Sequence, residues 1–172
     1  MGFFRYIFLI IILAGSTSIG FLLSKGYSDR LNELKKLSNL INIFKNKIKF
    51  SRKPLGEIFE EVYLIDKNTK ISEIFLKTSR KIKDNNVNEA WNEAVLETSS
   101  FLNLKSEDIE LIKSFGNMLG KTDIEGQVSE INQFLSLLEG QIVIAEEEKN
   151  KNSKMYKSLG TIVGLGIVIV LF

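Results

Sequence analysis

Both ends of this chain are apolar runs and the stretch between them is charged, an arrangement that restricts the fold more than any other feature of the sequence. Residues 3–23, FFRYIFLIIILAGSTSIGFLL, carry a single charge, Arg5, close to the edge of the run. As a helix this stretch rises roughly 31 Å, about the hydrocarbon thickness of a bilayer. Apolar character resumes at Ile19–Leu23 after the small residues of ILAGS, so the run is expected to stay as an anchor rather than be removed as a signal peptide. At the other end, LGTIVGLGIVIVLF (159–172) rises only about 21 Å. Crossing a bilayer is therefore expected to draw on Tyr156 and Lys157, with the lysine reaching back to the interface. Gly160 and Gly164 form a small-xxx-small pair that would let another membrane helix approach closely, although glycine is common in membrane helices for other reasons too. Lys25, Arg30, Lys35 and Lys36 follow the first run, against Arg5 before it; Lys149, Lys151, Lys154 and Lys157 precede the second. Both distributions place the middle of the chain in the cytoplasm.

Composition removes most chemistry. Among 172 residues there is no cysteine and no histidine, which excludes disulfide frameworks, thiol catalysis, zinc fingers and serine triads that use an imidazole base. A formal charge of +2, with no basic patch interleaved with aromatics, gives no support for nucleic acid as a partner. GNMLGKT (116–122) resembles a phosphate-binding loop, but that loop needs four residues between its first glycine and Gly-Lys-Thr, and here Gly116 and Gly120 enclose three. It also follows SEDIELIKSF, whose Ile109, Ile112 and Phe115 recur at helical intervals instead of forming a strand. No catalytic residue, cofactor, metal or small-molecule substrate is expected, and the chain is read as a non-enzyme.

The middle reads as helices throughout. Leu31, Leu34, Leu37, Leu40, Ile41, Phe44 and Ile48 follow one another at three- and four-residue steps, giving a helix that leaves the membrane with one apolar stripe. Pro54 opens a second helix whose stripe is Leu55, Ile58, Phe59 and Val62. A third carries Ile71, Ile74, Phe75 and Ile82; a fourth, capped by Asn86, carries Ala90, Trp91, Ala94 and Val95. A lone Trp91 at helical register reads as core, with a partner-binding anchor as the rival role. Ser106 reads as the cap of a fifth helix running to Leu119, with Gly120 as a left-handed terminator and Gly116 allowing close packing of a neighbour. Thr122, with Glu125 three residues on, reads as a capping box for the last helix. That helix carries Ile124, Val128, Ile131, Leu135, Leu138, Ile142 and Ala145 as a heptad seam, facing either the first soluble helix or a second copy. It is expected to continue unbroken into the membrane, unless Asn150–Ser153 form a linker. The fold class is all-α: an antiparallel bundle of about six helices (25–155) flanked by an N-terminal (1–24) and a C-terminal (156–172) transmembrane helix.

Six stretches taken together resemble the stage III sporulation protein AB family: GFLLS (20–24), the leucine ladder after it, PLGEIFEE (54–61), NEAWNEAV (88–95), FGNMLGKTDIEGQ (115–127) and YKSLGTIVGLGIVIVL (156–171). Within the fifth, Phe115, Gly116, Leu119, Gly120, Asp123 and Gln127 match the family pattern. The chain departs from it at Lys47, Phe50 and Lys53, where an acidic residue, tyrosine and threonine are usual. The resemblance implies a mother-cell membrane protein of endospore formation, a component of the channel complex joining mother cell and forespore. The family is similar to the cytoplasmic domain of type II secretion F proteins, which implies a platform that binds a cytoplasmic ATPase and other channel subunits. Asp123 and Gln127, one turn apart, would then serve either the helix junction or a partner. A small oligomeric membrane pore is the alternative, favoured by Gly160 and Gly164 but lacking a polar stripe in either span.

Overall fold

The computed structural model describes residues 2–51 and 53–171. Six helices account for most of them: α1 (Gly2–Phe50), α2 (Leu55–Ile65), α3 (Glu73–Lys81), α4 (Val87–Ser99), α5 (Ser106–Gly116) and α6 (Ile124–Leu171). The first and last are single helices of 49 and 48 residues, and both are long and apolar enough to cross a membrane. No break interrupts α6 at Asn150–Ser153, so the expectation of one continuous helix holds there.

The chain divides into two units. One contains the described residues up to Leu31 together with those from Ile144 onward; the other is Asn32–Val143. The hydropathy boundaries at 24/25 and 155/156 mark where apolar runs stop, whereas the helix pair of the first unit continues beyond them.

Within the second unit each of the six helices contributes one fully buried aromatic ring: Phe44, Phe59, Phe75, Trp91, Phe115 and Phe134. Their centroids form a connected cluster, with Phe44 at 4.6 Å from Phe59, Trp91 at 4.9 Å from Phe115, and Phe115 at 4.9 Å from Phe134. Most pairs are tilted or edge-on, the geometry the ring quadrupole favours. All seven positions of the α1 stripe, from Leu31 to Ile48, are buried, and the six from Leu34 onward belong to this unit. Ile58 and Val62 of α2, Ile74 of α3 and Ala90, Ala94 and Val95 of α4 complete this core, while Leu55 and Ile82 are half-buried.

The α6 seam keeps the heptad period but not all of its expected positions. Phe134 is fully buried where Leu135 was expected, and Ile124 is 49% exposed. The buried positions Ile131, Phe134, Leu138, Ile142 and Ala145 advance by three, four, four and three. That spacing averages 3.5 residues, the heptad period, but its order of steps puts Phe134 rather than Leu135 on the buried face. Val128 is only half-buried.

Three helix ends are also corrected. Ser106 is the first residue of α5 rather than its cap; Asp108, fully buried, accepts a hydrogen bond from the Lys105 amide at 2.9 Å and so closes the turn from inside the helix. At its far end α5 stops at Gly116, not Leu119, because Asn117, Met118 and Leu119 donate to the carbonyls three residues back and tighten the chain into turns. At α6 the cap is Asp123, whose Oδ1 accepts from the Gly126 amide at 2.9 Å, in place of Thr122. Asn86 caps α4 as expected, accepting from the Glu89 amide at 2.9 Å.

Candidate functional site

The residues singled out around the α5–α6 corner come together, and most are consumed by the corner itself. Trp91 and Phe115 are wholly inside the aromatic cluster, and the Trp91 indole N–H donates to the Ile112 carbonyl at 2.7 Å. A Cβ on Gly116 would lie 2.9 Å from Trp91 Cδ1 and 3.2 Å from Trp91 Cβ, so α4 and α5 pack this closely only because that position is glycine. Leu119 is buried, and Gly120 has φ +74°, the left-handed conformation that lets the chain reverse toward α6. Asp123 caps α6, and the Gln127 side-chain amide donates to the Thr122 carbonyl at 3.0 Å, tying the first turn of α6 to the segment before it. Asp123 itself is exposed and Gln127 half-exposed.

A second group holds α1 against α6 in the unit formed by the chain's two ends. A Cβ on Gly160 would meet the Ser16 carbonyl oxygen at 2.9 Å and Gly20 Cα at 3.0 Å, while one on Gly20 would meet the Tyr156 carbonyl oxygen at 2.5 Å. Gly164 faces Leu13 and Ser16. The helix that the small pair admits is therefore this chain's own α1, and Gly20, which sequence reasoning did not single out, is its counterpart. Ser16 donates to the Gly160 carbonyl at 2.7 Å, Ser24 and Ser153 share a hydrogen bond at 2.6 Å, and Tyr27 stacks on Tyr156 with centroids 5.9 Å apart. Arg30, 3% exposed, pairs with Glu148 at 2.6 Å. Partners more than a hundred residues apart leave no local pattern; the small residues at 16, 20 and 24, four apart, were the one signal available.

The third group lies where α1 ends and α2 begins. Lys47 and Lys53 both bind the Glu61 carboxylate. Their hydrogen bonds, Lys47 first, outweigh desolvation and lower its pKa to about 2. Lys53 is correspondingly raised by Glu61, with Glu57 a lesser contributor. The Lys49 ammonium sits 5.3 Å from the centre of the Phe50 ring, which is 78% exposed. Lys47, Phe50 and Lys53, the three residues singled out by their sequence context, all lie at this corner.

An all-α bundle whose first and last helices are long and apolar enough to cross a membrane defines the structural class. Within that class, the family model for stage III sporulation protein AB matches residues 5–172, and the chain belongs to that family. It is 27% identical over 164 residues to stage III sporulation protein AB of Bacillus subtilis (strain 168), covering 94% of this chain and 95% of that one. A solved structure of a stage III sporulation protein AB superposes with a TM-score of 0.66 at 22% identity, over 72% of this chain and 98% of the other, and supports the fold.

Proposed function

We propose that this protein is a non-enzymatic platform in the membrane of the mother cell facing the forespore, holding its bundle in the cytoplasm to bind a cytoplasmic ATPase and other subunits of the channel between the two cells. The observation that carries this reading is that α1 and α6 each run without interruption between an apolar segment and the core, α1 contributing buried residues as far as Ile48 and α6 from Ile131 onward. A bundle whose first and last helices are also the anchors is tethered at both ends without a flexible linker. Family membership supplies the sporulation setting, and the lysine distribution around both apolar runs supplies the cytoplasmic side. The pore alternative loses its main support, because Gly160 and Gly164 pack against α1 of the same chain.

The absence of cysteine makes the test direct. Single cysteines along residues 54–66 and 123–148, introduced into the full chain in sporulating cells, are expected to cross-link to the ATPase from one of these two surfaces. The same cysteines should be shielded from a membrane-impermeant thiol reagent added outside protoplasts. Labelling from outside, or ion leakage from vesicles holding this chain alone, would overturn the platform reading.

A further inference from the structure

The corner between α1 and α2 carries more positive charge than the fold uses. Lys47, Lys49 and Lys53 lie within seven residues, and the carboxylate that binds two of them, Glu61, leaves the group net positive. The negative end of the α1 dipole accounts for Lys47 and Lys49 in its last turn. Lys53, three residues beyond the helix, is held by Glu61, but neither the dipole nor that carboxylate accounts for Phe50. At 78%, Phe50 is the most exposed large apolar side chain among the described residues of Asn32–Val143. It is not on a loose loop: the Ser51 amide continues the helical ladder to the Lys47 carbonyl at 2.7 Å, and Pro54 fixes the turn that follows. Immediately beyond, a cleft of about 530 Å3 opens, lined by Pro54, Leu55, Glu57, Glu60, Ile82 and Lys83. The surface thus combines a basic ridge, a fixed aromatic ring and a cleft with two carboxylates on its rim.

We infer that this corner docks an acidic segment of a partner protein, with an apolar side chain of that segment set against Phe50 and its carboxylates against Lys47, Lys49 and Lys53. A ring held in place among cations gives an anchor at low entropic cost, and the surrounding charges supply orientation and encounter rate. A nucleic acid or an anionic bilayer would also meet the lysines and the exposed ring, but Glu57 and Glu60 on the adjoining cleft repel a continuous polyanion or an extended anionic surface. A short peptide avoids those carboxylates. The inference rests on the platform reading only in that the bundle must face protein partners.

The full chain in phosphatidylcholine nanodiscs, titrated with a fluorescent synthetic peptide in which pairs of glutamates alternate with single leucines, tests this. Binding should saturate, and should weaken as salt rises from about 0.05 M to about 0.3 M. The combined Lys47→Gln, Lys49→Gln and Lys53→Gln variant should lose about tenfold in affinity, Phe50→Ser about threefold, and the corresponding triple arginine variant little. Helicity and melting temperature confirm that each variant is folded. No saturable binding, or binding indifferent to the lysines or to Phe50, overturns the inference. So does tighter binding of a single-stranded oligonucleotide, or of phosphatidylglycerol vesicles, through the same lysines. Neither result bears on whether the bundle cross-links to the ATPase, so the two readings fail separately.

Discussion

At Gly116 one hydrogen atom decides how two helices meet. Alanine there would gain helix propensity of about 1 kcal/mol in a helix interior. Gly116 is the last residue of α5, where that gain is smaller, and the new methyl would press on Trp91 Cβ at 3.2 Å, which cannot swing aside as the Asn88 side chain can. Overpacking of this kind costs about 1–3 kcal/mol. Gly116→Ala is therefore expected to lower stability by about 1–2 kcal/mol, read from chemical denaturation with Trp91 fluorescence; a neutral or stabilising result would mean that α4 and α5 do not approach this closely. Glu61 offers a second check at this scale. Its folded pKa is depressed to about 2 from an ordinary 4.5, so its contribution to stability is present above the ordinary value and lost as pH falls from 4.5 toward 2. Replacing both Lys47 and Lys53 with glutamine should return its titration to the ordinary carboxylate range, followed by carboxyl-carbon NMR. An unchanged low value would show that something other than the two lysines holds the carboxylate ionised.

Elements differed in how far their sequences announced them. The α1 stripe was fully legible, since seven apolar residues at three- and four-residue steps all proved buried. On α6, Phe134 and Leu135 are adjacent apolar residues that both fit an alternation of threes and fours after Ile131. Either choice covers the seven residues from Ile131 to Leu138 in two steps, so spacing cannot select between them, and the packing of the partner helices decides. The α5 and α6 N-caps were each displaced by one residue, at α6 because Thr122 and Asp123 are both competent acceptors and the turn geometry selects between them. The α1–α6 pairing was the least legible, since Ser24 and Ser153 stand 129 residues apart. Their hydroxyl oxygens are 2.6 Å apart, so a Ser24→Cys, Ser153→Cys chain, with no other cysteine, should form an intramolecular disulfide under mild oxidation. Adding Gly160→Val should sharply reduce that yield, because its side chain would meet backbone atoms of Ser16 and Gly20. Retained yield in the valine variant would show that the glycine contact does not hold the pair together.

For the whole molecule, the division at Asn32 and Val143 separates two kinds of cohesion. The unit made by the chain's ends relies on close backbone approach and a few polar contacts, which suits helices in lipid, where burying apolar surface gives no advantage between them. The Asn32–Val143 unit instead relies on burial from water, with all six aromatic rings and nearly all of the α1 stripe inside its limits. Its interior therefore needs neither the apolar runs nor a bilayer. A fragment of residues 32–143 is expected to be soluble without detergent, helical, and to unfold cooperatively with about 5–15 kcal/mol of stability, the range for single domains. Trp91, the one tryptophan of the chain and fully buried, reports it: emission should be blue-shifted in the fragment and move to the red in a single transition with added urea. Loss of the Arg30–Glu148 pair and the serine contacts should leave that transition cooperative, since every one of them lies in the other unit. A broad transition, or a tryptophan already exposed to water, would mean that the core depends on the helix pair for its packing, and that anchoring and folding in this family member are a single event.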